Sequence, residues 1–243
     1  LVILIVALLV VFRFIYPAQP LINLDQLSFL DMVAAGIASV YRLIIAYILS
    51  LVFSVPLALL IVATPKLEKV LLPFFDIVQS IPVLAFFPVI VLLFIKVNFF
   101  EGAAIFVLFM AMLWNLVFSM IGGLKTIPQD INSAAVVFGA TGLKRLWFIT
   151  LPAILPYIIT GSLLAWAQGW NVLIVAEVLH NYIPGGTTAQ DLSGLGSLLV
   201  DAGYQGKNSV FLVALLVMIL LIGLLNFFVW QRLLHLAERY KFD

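Results

Sequence analysis

Stretches of about twenty residues with hardly a charge recur along this chain, the length a helix needs to cross the hydrocarbon of a bilayer. The runs at approximately 1–16, 38–62, 70–95, 102–122, 153–178 and 209–232 read on that rule as about six spans. The composition leaves no soluble alternative. Of the 243 residues, 65% are hydrophobic and 9% charged, against roughly half and a quarter in a soluble domain. The expected fold is therefore an all-α integral membrane protein, with one transmembrane domain over 1–243. A net charge of +1 speaks against nucleic acid, which demands a clustered basic face. With 0 cysteines, the chain has no thiol chemistry.

The first run, LVILIVALLVVFRFIY, has the apolar character of a signal-peptide centre, but no small-x-small cleavage site follows it, and it is expected to stay as a span. The segment after it, AQPLINLDQLSFLDMVAAG, reads as a polar turn leading into an amphipathic approach, with Ser28 and Asp31 as helix caps. The third run holds Pro73, Pro82 and Pro88, which predicts a broken or kinked helix. After the fifth run, the loop at about 179–208 carries Pro-Gly-Gly turn signals and one short helix.

Lysine and arginine collect on the cytoplasmic side of membrane proteins. Lys66, Lys69, Lys125, Lys144, Arg145, Arg232, Arg239 and Lys241 all fall on one side of the six-span arrangement, against Arg13, Lys96 and Lys207 on the other. Both termini and the segment 123–152 are then cytoplasmic, and the loop at 179–208 faces outward. Arg42 lies in or near the membrane, where an ion pair or snorkelling suits it better than capture of an anion.

Residues 131–152 do not look like a simple connector. INSAAVVF suits a short helix, Gly139 and Gly142 permit a sharp turn, LKRLWFI resumes an apolar period, and Pro152 is placed to begin the next span. A basic connector at lipid headgroups is the plainer reading. The small residues Ala134, Ala135 and Gly139 favour instead a surface gripped by another protein.

The spacing is informative: Ser133-Ala134-Ala135, three residues, Gly139, nine residues, Ile149, Thr150, Leu151-Pro152. It resembles the Glu-Ala-Ala signature of the membrane subunits of binding-protein-dependent ABC importers, with Ser133 in place of the leading Glu. That change removes any role of the Glu charge, although serine still suits a helix cap. The resemblance covers roughly residues 30–240 and is nearest the nitrate, sulfonate and taurine branch, through SVYRLIIAYILSLVFSVPLALLI, QSIPVLAFFPVIVLLF, AWAQGWNVLIVAEVL and SGLGSLLVDAG. It implies a type I (MetI-like) permease fold in a bacterial or archaeal inner membrane. In this family the 124–152 element is the coupling helix that docks on an ATPase subunit, here through Ala134, Ala135 and Gly139. Gly142, Ile149, Leu151 and Pro152 complete the matched element. Lys144 and Arg145 are added as partners for acidic residues on the ATPase.

The resemblance further implies two ATPase subunits that bind ATP and Mg, a second permease subunit of the same or a different sequence, and an extracytoplasmic solute-binding protein. The chain is then a transport subunit without a cofactor of its own, and not an enzyme. Consistent with this, GATGLKR at Gly139 fails the spacing of a phosphate-binding loop. Candidate pathway residues are the polar groups inside spans: Gln79 and Ser80 (with Asp76), Asn115 and Ser119, and Gln168, Asn171 and Glu177. Each of them also suits a hydrogen bond between helices. Glu177 is read as serving an outer gate or reaching water. Trp114, Trp166 and Trp170 read as packing residues. His180 has no second metal ligand nearby in sequence. A stand-alone secondary transporter or channel is the rival reading, since broken helices suit it too; it has no need of the signature spacing. A membrane-embedded enzyme would need a convergent His/Asp/Glu cluster.

Overall fold

The computed structural model of the chain describes residues 27–240, so the first expected span lies outside the described residues. All regular structure among the described residues is helical. Helix α1 (Phe29–Ala63) starts nine residues before the run from which it was predicted. The reason is the cap. Ser28 Oγ accepts the Asp31 N–H at 3.3 Å and the Asp31 carboxylate accepts the Ser28 N–H at 2.9 Å, a reciprocal box that satisfies two orphan donors. With 35 residues, α1 is about 52 Å long. Leu30, Ile37, Ile44, Ile48, Val52 and Leu60 leave one apolar stripe exposed, while Leu43, Ala46, Ala58 and Ile61 bury the other face.

The third expected span is two helices. Helix α2 (Pro65–Ser80) ends at Ile81, which is extended (φ −77°, ψ 124°) as the residue before a proline prefers. A 3₁₀ turn (Val83–Ala85) follows, then α3 (Phe87–Lys96), with Pro88 in its first turn. Pro82 thus breaks the span, and Pro73 is accommodated inside α2. The chain continues as α4 (Phe100–Thr126), α5 (Gln129–Val137), α6 (Gly142–Glu177), α7 (Leu195–Tyr204) and α8 (Asn208–Glu238). Helices α1, α4, α6 and α8 are each long and apolar enough to cross a membrane.

Pro152 does not begin the fifth span. Helix α6 starts ten residues earlier, at Gly142, and passes Pro152 through a π turn at Leu146–Thr150, where the Leu151 N–H reaches back five residues to the Leu146 carbonyl. Proline crowds the carbonyl four residues before it and donates nothing, and one widened turn absorbs that mismatch without ending the helix.

Helices α4 and α6 form the centre, packed antiparallel through small residues. Gly123 lies against Tyr157, Gly161 against Ser119 and the Asn115 carbonyl, and Gly169 against Met112 and Leu43. Without a hydrophobic drive between helices in lipid, such close backbone approach is what holds a pair together. The fully buried side chains Leu43, Leu108, Met112, Leu116, Met120 and Leu173 fill the rest of this core. A smaller cluster of Met32, Ala35, Leu195, Leu198, Leu199, Ala214, Val217 and Met218 fastens α7 and α8 to the start of α1.

These contacts also set depth. At one end, Lys125 of α4 pairs with Glu68 of α2 at 2.5 Å; at the other, Glu101 of α4 and Glu177 of α6 meet on Arg42 of α1. Trp114 stands midway along α4 and packs on Phe75 of α2 at 5.2 Å, so α2 runs from the Lys125 end to mid-depth.

A Cβ at Gly161 would lie 2.6 Å from Ser119 Cβ, whereas one at Gly122 meets nothing within 4 Å. Gly161→Leu should therefore cost about 1–3 kcal/mol through overpacking, read as a lowered thermal midpoint of the solubilised protein, and Gly122→Leu should leave that midpoint in place.

Candidate functional site

A buried charge in a membrane protein must be paired, and Arg42 is paired on two sides. It is 3% exposed. Its Nε and Nη2 donate to the Glu101 carboxylate, both at 2.7 Å, and its Nη1 donates to Glu177 Oε1 at 2.7 Å and to the Ser193 carbonyl at 3.0 Å. Arginine's planar fork makes this possible; a lysine point charge could not hold both carboxylates in these directions. Glu177, with no exposed surface, also accepts from the Ser39 hydroxyl at 2.7 Å and from the Gly196 N–H at 2.7 Å. Ser39 in turn accepts the Leu195 N–H at 2.9 Å. The Ser193–Ser197 turn is thereby seated on the carboxylate, and Gly194 lies so close to it that no Cβ would fit.

Glu177 accordingly does not reach water, as one of its sequence readings had it. It lies in the ion network that ties α1, α4 and α6 to the start of α7 and the residues just before it. The ion pair expected of Arg42 is present. Ser39, Glu101, Ser193, Gly194 and Gly196 were missed by the sequence reading. An arginine inside an apolar run calls for acidic partners, which could have pointed to Glu101, but the glycine turn carries no signal of its own. The same loop is pinned again at Asp191, which is buried and takes the Leu179 and His180 N–H groups at 2.7 and 2.9 Å and the His180 ring at 2.6 Å.

The remaining expected pathway residues divide by exposure. Gln168 and Asn171 lie on an exposed stripe of α6 with Tyr157, Thr160 and Leu164. Asp76, Gln79 and Ser80 lie on the exposed end of α2, where Gln79 Nε2 donates to Asp76 Oδ1 at 2.8 Å and the Ser80 hydroxyl to the Asp76 carbonyl at 2.7 Å. Asn115 and Ser119 are half-buried, and Ser119 is taken up by its packing on Gly161. Trp114 packs on Phe75, and Trp166 lies between Tyr47 and Trp230, each 5.9 Å away.

At the Lys125 end, α5 closes on a glycine cap. Gly139 is left-handed (φ +69°), and the Ala140 N–H bonds to the Ala135 carbonyl at 2.8 Å. That six-to-one bond defines a Schellman cap, with Ala135 in the last turn and Gly139 just past the helix. The Ala-Ala-x-x-x-Gly spacing is thus the spacing of a helix end. Gly142 is also left-handed (φ +54°) and starts α6 after the extended Thr141. Ala134, Gly139 and Lys144 are exposed, and Arg145 is half-buried. Ala135, expected on the docking surface, is 2% exposed and faces inward. Ser133 does not cap the helix: it is exposed inside α5, and its hydroxyl donates to the Gln129 carbonyl at 3.0 Å. Ile149, Leu151 and Pro152 are half-buried along the first turns of α6. Exposed instead is an apolar group absent from the expected surface: Val137, Phe138, Leu143, Trp147 and Phe148, with Phe138 86% exposed.

A family model for the inner membrane component of binding-protein-dependent transport systems matches residues 50–239, most of the chain. The chain belongs to this family. The nitrate import permease protein NrtB of Leptolyngbya laminosa is 31% identical over 188 residues, covering 77% of this chain and 62% of its own length. The taurine transport system permease protein TauC of Escherichia coli (strain K12) is 27% identical over 189 residues, covering 78% and 64%. The chain therefore spans less than two thirds of the length of these relatives. Among solved structures, the MetNI methionine ABC transporter in inward-facing conformations has a chain that superposes with a TM-score of 0.63 at 20% identity, covering 85% of this chain and 96% of that one. The likeness shows the MetI-like fold expected of the sequence. The residues matched to the family include the glycine-capped turn, Glu101, Glu177 and the Ser193–Ser197 turn, while Ser39 and Arg42 precede them.

Arg42→Met would leave two carboxylates facing each other without their cation. Removing one partner of a buried pair costs about 3–5 kcal/mol, so the solubilised variant should unfold at lower temperature and become protease-sensitive between 183 and 190. An unchanged midpoint with an unchanged cleavage pattern would show that the network is idle.

Proposed function

We propose that this chain is the permease subunit of an ATP-driven importer and forms half of a solute pathway that opens alternately to the two sides of the membrane. The observation that carries the reading is the glycine-capped turn at Gly139–Gly142, which presents Val137, Phe138, Leu143, Trp147 and Phe148 beside Lys144. An exposed apolar group rimmed by charge is the usual mark of a protein-docking surface. An ATPase subunit is its partner, with Ser133, Ala134, Gly139, Lys144 and Arg145 at the contact. ATP and Mg belong to that partner, present as a dimer. A second permease, of the same or a different sequence, completes the pathway.

Orientation follows from charge. Lys66, Lys69, Lys125, Lys144 and Arg145 cluster at the end that holds the turn, so that end and both termini are cytoplasmic. The loop at 179–208 then faces outward, toward a solute-binding protein, in a bacterial or archaeal inner membrane. Gln79, Ser80, Gln168 and Asn171 line the path, since an exposed polar group at mid-depth needs water or solute. The solute is a small anion-bearing molecule of the nitrate, sulfonate or taurine kind, which the names of the relatives support. Glu177 and Arg42 act on the path indirectly, by fixing the outer ends of α4 and α6 against α1.

The test is copurification together with uptake. The chain should purify with an ATP-hydrolysing subunit, and Gly139→Asp or Phe138→Glu should lower ATP-dependent uptake by about tenfold or more while membrane insertion is retained. Full uptake by the chain alone, with no ATPase present, would establish the stand-alone transporter instead.

A further inference from the structure

The mid-depth polar groups do not match a plain anion. Phe75 packs on Trp114 midway along α4, so the neighbouring Asp76 lies at mid-depth. Gly169 packs on Met112, two residues from Trp114, which puts Gln168 at the same level on α6. Around that depth the exposed polar side chains of α2 and α6 are Asp76, Gln79, Ser80, Gln168 and Asn171: one carboxylate, three amides and a hydroxyl, with no lysine or arginine. Arg42 is remote, held by Glu101 at the start of α4, about 20 Å along that helix from Trp114. Gln79 occupies Asp76 Oδ1, and among the described residues no cation pairs with the other oxygen.

A lone carboxylate on the open face of a membrane helix is costly and calls for a counter-charge. An inorganic oxyanion passing it would meet repulsion from Asp76 and no compensating cation. A solute with its own ammonium group would meet an ion pair to Asp76, with amides free to donate to its anionic end. We infer that Asp76 is a specificity-determining residue of the pathway and that the transported solute carries a cationic group, a zwitterion such as an aminosulfonate, and is not a bare oxyanion. This rests on the permease reading above and narrows its solute class.

The test uses proteoliposomes holding the complete complex with its ATPase and solute-binding partners. ATP-driven uptake is compared for taurine, for ethanesulfonate (which keeps the sulfonate and lacks the ammonium) and for nitrate. Taurine should be preferred over both by about tenfold or more. Asp76→Asn should lower its uptake about tenfold with subunit composition and receptor binding of taurine unchanged, and Asp76→Glu should restore most of it. Preference for nitrate or ethanesulfonate, or wild-type taurine uptake by the Asn variant, overturns the inference and leaves the permease reading standing. If the Asn variant does not assemble, the wild-type preference and the Glu variant still decide. Absence of both an ATPase partner and ATP-driven uptake of any solute strikes the permease reading itself.

Discussion

A guanidinium cannot sit bare in hydrocarbon, and the far end of this helical bundle is organised around that constraint. Arg42 is buried on α1 and is neutralised by a carboxylate from the first turn of α4 and another from the last residue of α6. The start of α4 and the end of α6, which share no sequence neighbourhood, are thereby held at one level against a point thirteen residues inside α1. The second oxygen of Glu177 then takes a backbone N–H from the Ser193–Ser197 turn, so the connection to α7 is seated on the same cluster. Buried ion networks of this kind contribute more to a unique arrangement than to net stability, because desolvation offsets much of the Coulomb gain.

The opposite end is built with looser means. Its ion pair, Lys125 with Glu68, is partly exposed, and pairs of that kind contribute little. Its turn relies on left-handed glycines and leaves aromatic side chains in the open. A single helix, α6, runs from that turn to Glu177, passing Pro152 through a π turn. That helix joins the glycine turn to the buried cluster in one piece, and on the function proposed above it is the route by which a push on the turn reaches the other end.

Much of this was legible in advance, for identifiable reasons. The long helices follow from runs of apolar residues, because hydrocarbon demands internally satisfied backbone. The break at Pro82 follows from the missing N–H and from the restriction on Ile81. The glycine turn follows from its spacing, since only certain offsets from a helix end place glycine in the left-handed position. The start of α6 was misplaced because proline at 152 looks like a first-turn residue, and sequence does not reveal that a π turn will absorb it. Ala135 was misassigned to the exposed surface because on a helix of nine residues small side chains suit either face.

The sequence alone determined that the chain lives in a membrane, that its described long helices lie within about ten residues of the apolar runs, and where it turns, since each depends on the local balance of apolar length, proline and glycine. Tertiary structure alone decided which charges meet. Arg42 and Glu177 are 135 residues apart, and nothing local tells a buried pair from two exposed groups. It also decided that Asp76 lies at mid-depth without a cation beside it among the described residues, because depth and company are properties of packed neighbours, and a linear order of residues records neither.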